Sequence, residues 1–78
     1  MDTRAWKTYQ IISAKQITLG AMVADTPENA MNDWLATERI RFNQSICKEF
    51  PSISSKKLDE MADTMVEYLR YHTFIKEL

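Results

Sequence analysis

The run Val23-Ala24-Asp25-Thr26-Pro27-Glu28-Asn29-Ala30 decides how this chain is read. An extended, β-prone segment stops there and a helix starts. Thr26 has a side-chain oxygen that can accept from the unpaired N–H groups of a first helical turn. Pro27 at the first helical position loses nothing, because its missing N–H had no partner there. Glu28 lies at the positive end of the helix dipole.

Upstream, Gln16-Ile17-Thr18-Leu19-Gly20-Ala21-Met22-Val23 alternates in character. Period two puts Ile17, Leu19, Ala21 and Val23 on one face of a strand. Trp6, Thr8, Tyr9, Ile11 and Ile12 form an earlier β-branched and aromatic cluster of the kind strands favour. Ser13-Ala14-Lys15 between the two runs suits a hairpin loop, although none of the three readily takes positive φ. A helix over 2–15, with Ala5, Tyr9 and Ile12 on one stripe, is the competing reading. Propensity favours a hairpin over about 5–24. Gly20 marks a bulge or a close backbone contact in the second strand.

Downstream, Ala30, Met31, Trp34 and Leu35 form an apolar helical stripe. Ile40, Phe42, Ile46, Cys47 and Phe50 continue the apolar content, with a phase wobble across Ala36-Thr37-Glu38. One helix over 27–49 and two helices bent near 37 both fit, with a stop before Pro51. Ser54 can cap a last helix, and Ile53 can staple onto Leu58. Leu58, Met61, Ala62, Met65, Leu69 and His72 keep helical spacing, and the pattern predicts a helix over about 54–76. The expected fold is α+β: one small domain, with an N-terminal β-hairpin packed on two or three α-helices and the last helix as its main partner.

The composition narrows the function. Of 78 residues, 45 % are hydrophobic and 27 % charged, a globular balance. Ten Lys and Arg against eleven Asp and Glu leave a net charge of −1, which gives no general attraction to nucleic acid or anionic lipid. No apolar run reaches the length of a membrane span. The N-terminus lacks the layout of a secretory signal, and Cys47 is the only cysteine. Together these point to a reducing cytoplasm and no internal disulfide.

No catalytic, metal or cofactor motif stands out, and none of those roles is expected. His72, the one histidine, reads as a core or interface residue or a C-terminal helix charge. Cys47 reads as a small buried residue. Asp59, Glu60 and Asp63 read as a solvated helix face, since a hard-cation site needs more oxygens. Arg39, Arg41, Lys56 and Lys57 loosely resemble a helix-turn-helix over 38–57, but the neighbouring acidic residues oppose phosphate contact.

A short chain without disulfides needs dense packing or a partner subunit, so a homodimer is expected. Five Met, two Trp and three Tyr are many for this length, and aromatic residues and Met are enriched at interfaces. The leading expectation is a non-enzymatic protein-interaction module: an inhibitor, adaptor or antitoxin-like regulator, of a size that suits bacterial or phage origin. Its candidate contact residues are Trp6, Tyr9, Arg39, Arg41, Tyr71, Phe74 and Ile75. The alternative is a small nucleic-acid-binding transcriptional regulator using the 38–57 segment.

Overall fold

A computed structural model describes residues 6–78. The element order is β1 (Lys7–Ser13), β2 (Thr18–Ala24), α1 (Pro27–Glu49), α2 (Ser55–His72) and β3 (Thr73–Glu77). The expected hairpin is present, and β1 pairs antiparallel with β2 from Lys7↔Ala24 to Ile12↔Thr18. Its tip uses a residue the sequence reading passed over. Gln16 takes φ 66, while Gln16 N–H donates to the Ser13 carbonyl and Ser13 N–H to the Ile17 carbonyl. Ser13 Oγ accepts from the N–H groups of Lys15 and Ile17. A turn followed by one left-handed residue is a common three-residue hairpin solution.

The end of the chain differs from expectation. The last helix stops at His72 rather than running to 76, and Thr73–Glu77 forms a third strand beside β1. The sheet order is β2-β1-β3. Thr73 makes the change without a loop. Its backbone is extended at φ −126, ψ 159, and its hydroxyl donates to the Leu69 carbonyl at 2.7 Å. That bond satisfies one of the carbonyls a helix leaves over at its C-terminus. Thr73-Phe74-Ile75 is itself β-branched and aromatic, which suits a strand.

β1 is therefore central, and Tyr9 and Ile11 on it are the largest fully buried side chains. The core joins Ile11 to Met31, Trp34 and Leu35, with Met22, Val66, Leu69 and Ile75 packed around them. Tyr9, Ala24 and Ala30 form a second cluster. α1 supplies Ala30, Met31, Trp34 and Leu35 to this interior, whereas Ala62 is the buried residue of α2. The main packing partner of the sheet is thus α1 and not the last helix. Trp34 reaches the sheet because Gly20 leaves room. A Cβ there would lie 3.0 Å from Trp34 Nε1 and 3.2 Å from Cδ1.

The face of β2 turned inward is also the reverse of what the larger side chains suggest. Gly20, Met22 and Ala24 are the more buried, while Ile17, Leu19, Ala21 and Val23 are exposed. A register shift opposite Ile11 and Ile12 skips Leu19. Gly20 thus sits beside a bulge and in a close contact, and the contact is with a side chain.

α1 is one uninterrupted helix. Thr26 Oγ1 accepts from Asn29 N–H at 3.1 Å, and Pro27 opens the first turn. Asn29 Nδ2 donates to Asp25 Oδ1 at 2.7 Å, tying strand end to helix start. Its buried residues stop at Leu35, so beyond that point the packing is against α2. Ser54 caps α2 by accepting from Lys57 N–H. Arg39 meets Asp63 at 2.6 Å and Arg70 meets Asn32 at 3.0 Å. Contacts that climb α1 while descending α2 define an antiparallel helical hairpin.

Candidate interaction surfaces

The residues singled out from sequence separate into interior and surface groups. Tyr9 is 2 % exposed and belongs to the core, and Ile75 is half-buried against that core. Tyr9 therefore presents almost none of its side chain at the surface, and Ile75 presents part of its own. Trp6, Tyr71 and Phe74 are exposed. Phe74 lies on β3, not at a helix end. Arg39 and Arg41 are engaged within the chain: Arg39 pairs with Asp63 and, at 3.9 Å, with Asp59, and Arg41 pairs with Glu38.

The 38–57 segment does not adopt the crossed arrangement of a helix-turn-helix, whose helices meet at roughly 90–120°. It is the tip of the antiparallel hairpin, with α1 running unbroken to Glu49 and α2 starting at Ser55. The acidic residues of α2 hold Arg39.

Cys47 is exposed rather than buried. His72 is exposed and stacks on Tyr68 with ring centroids 4.1 Å apart. Among the described residues no group of His, Cys, Asp and Glu is placed to hold a metal ion. None of the described helices is long and apolar enough to cross a membrane.

Two of the surfaces among the described residues carry apolar area without a cover and bear on function. The first is the sheet face turned away from the helices. Alternation places Thr8, Gln10 and Ile12 of β1 there, and the register sets Val23 beside Thr8, Ala21 beside Gln10 and Phe74 beside Ile12. Val23 is 60 % and Phe74 52 % exposed. Lys76, paired in register with Gln10, is the charged residue among them. The second is an open groove of about 450 Å³ along α2, with Phe42, Met61, Met65 and Tyr68 among its walls. Sequence reasoning missed both. Helical spacing puts Met61 and Met65 on one stripe with Ala62 and Leu69 without separating the buried positions from the open ones, and nothing local says that one face of a sheet will stay open.

No family model, no curated protein and no solved structure matches this chain.

Proposed function

We propose that this chain is a non-enzymatic protein-interaction module that docks on a larger protein through the open face of its sheet. The observation that carries this reading is that helices cover one face of the three-stranded sheet while Val23 and Phe74 stand exposed on the other. A sheet is ordinarily covered by a second layer wherever it presents apolar residues. The partner surface that fits is apolar, with an acidic group to meet Lys76. Inhibitor, adaptor and antitoxin-like regulator are the roles such docking serves, in a cytoplasmic setting. The ion pairing of Arg39 and Arg41 favours this reading over nucleic-acid binding, because paired guanidinium groups must be released before they can meet phosphates.

The test pairs two double variants. Val23→Thr with Phe74→Thr removes apolar contact while keeping β-branched side chains in the strands. The immobilised chain should retain a protein from its source cells. This variant should lose that protein, while Arg39→Ala with Arg41→Ala should keep it. Retention unaffected by the sheet variant overturns the proposal. Duplex DNA binding at ~150 mM salt that the arginine variant weakens would replace it with the nucleic-acid reading, because phosphate contacts give that dependence.

A further inference from the structure

We infer that the free edge of β2 pairs antiparallel with β2 of a second copy, joining the two sheets into one continuous sheet about a two-fold axis at Met22. The inference goes beyond docking on a larger protein: it uses the edge of the sheet and leaves the open face uncovered.

The hydrogen bonds fix which backbone groups point outward. The Thr8 carbonyl accepts from Leu78 N–H, so the backbone groups of Thr8 are turned toward β3. Their direction alternates along an antiparallel strand, and Lys7, Tyr9 and Ile11 are therefore turned toward β2. Their register partners there are Ala24, Met22 and Gly20. The N–H and C=O groups of Ala21 and Val23, which lie between those partners, point away from β1, and β2 is an edge strand. Ala21 and Val23 are both exposed, so this edge is open to approach. A row of donors and acceptors with that alternation is matched by another extended backbone.

The side chains say which backbone fits. β2 reads Thr18-Leu19-Gly20-Ala21-Met22-Val23-Ala24, with no charged residue and no proline. Proteins ordinarily guard an edge strand with such residues or keep it short. The other edge, β3, is five residues long and ends in Lys76 and Glu77. Pairing β2 with β2 covers the unguarded edges and leaves the guarded ones outside. It also closes on itself, whereas β2 against β3 would repeat without end. Charge sets the direction. Lys15 precedes β2, and Asp25 and Glu28 follow it. Antiparallel pairing turns the basic end of one copy toward the acidic end of the other, a long-range attraction that favours encounter. Parallel pairing would set like ends together.

The register follows from the bulge. The shift that skips Leu19 leaves a regular ladder from Gly20 to Ala24, and its midpoint is Met22. With the axis there, Ala21 lies opposite Val23 of the second copy, and each such pair exchanges both N–H···O bonds. Ala21 and Val23 then adjoin on the open face. The two Met22 side chains meet on the helix side, where methionine adapts to an irregular contact.

The experiment is analytical ultracentrifugation of the full chain up to ~200 µM, a range in which a micromolar dimer is populated. The wild type should sediment as a dimer. Ala21→Pro removes an N–H that serves no ladder bond within the chain, on an edge strand that tolerates proline, and should weaken association at least tenfold. Ala21→Lys guards the edge with charge and should do the same, which covers the case in which the proline variant misfolds. Phe74→Thr, on β3 and away from this edge, should leave the dimer intact. In a Cys47→Ser background, Ala21→Cys chains mixed with Val23→Cys chains should form a mixed disulfide under oxidation, because paired Cα atoms about 5.5 Å apart are within disulfide reach. Ala21→Cys alone should not cross-link, because the axis sets its two copies diagonally, about 7–8 Å apart and beyond that reach. A wild type that stays monomeric overturns the inference. So does a dimer undiminished by a folded Ala21→Pro chain or by Ala21→Lys, a dimer lost in Phe74→Thr, or ready cross-linking of Ala21→Cys to itself. Retention of a different protein by the open face is read separately, since a monomer can still bind there.

Discussion

Replacing Thr73 by valine tests the device that converts the last helix into a strand. The side chain is 7 % exposed, and its hydroxyl donates to the Leu69 carbonyl at 2.7 Å. Met31 Sδ lies 3.6 Å away as a weaker acceptor. Valine preserves the branched shape and the preference for extended backbone, so the hydroxyl is isolated from the packing. Leaving a part-buried carbonyl without its donor costs at most about 1–3 kcal/mol. The added methyl character returns at most about 0.8 kcal/mol. The net expectation is a loss of about 0.2–2 kcal/mol, or roughly 1–16 °C in Tm for a domain of this size. Urea and thermal denaturation followed by circular dichroism measure it, with wild type and variant at the same protein concentration. The sign decides the matter. If the hydroxyl contributes nothing, valine in this buried position should stabilise the fold, and a Tm equal to or above wild type refutes the capping argument.

Gly20→Ala should destabilise by about 1–3 kcal/mol, because Trp34 is 5 % exposed and has little room to move from the added Cβ; an unchanged denaturation midpoint would show that the indole shifts freely. Gln16→Gly should raise stability by about 0.5–1 kcal/mol, since Gln16 occupies a left-handed conformation that glycine adopts without steric cost. A loss of stability there would mean that the hairpin tip has a different backbone. Thr26→Ala should cost about 1 kcal/mol by removing the acceptor for Asn29 N–H, and Thr26→Ser should restore most of it. Asp63→Ala should cost less than about 1 kcal/mol, because its bond to Arg39 is largely open to solvent, and 0.5 M salt should reduce the difference further.

Features whose causes lie within a few residues are legible in the chain before it folds. Thr26-Pro27-Glu28 places the start of α1, and Ser54 places the start of α2, because a cap is made by side chains three residues from the N–H groups they satisfy. β-branched and aromatic residues before Ser13 and around Thr18–Val23 place the hairpin, which needs only neighbouring runs and a short loop. Features that depend on distant partners appear only once the elements pack. β3 exists because Thr73–Glu77 can pair with β1, sixty or more residues earlier, and helical periodicity running through His72 gives no warning of that. The same pairing makes β1 central and takes Tyr9 out of reach of a partner. Which face of β2 turns inward was settled by Trp34, whose ring fills the space beside Gly20 and leaves the larger Val23 outside. Even the uninterrupted course of α1 follows from α2. The apolar phase wobbles after Leu35 because the contact there passes from the sheet to a neighbouring helix, and no local signal in Ala36-Thr37-Glu38 records which surface lies alongside.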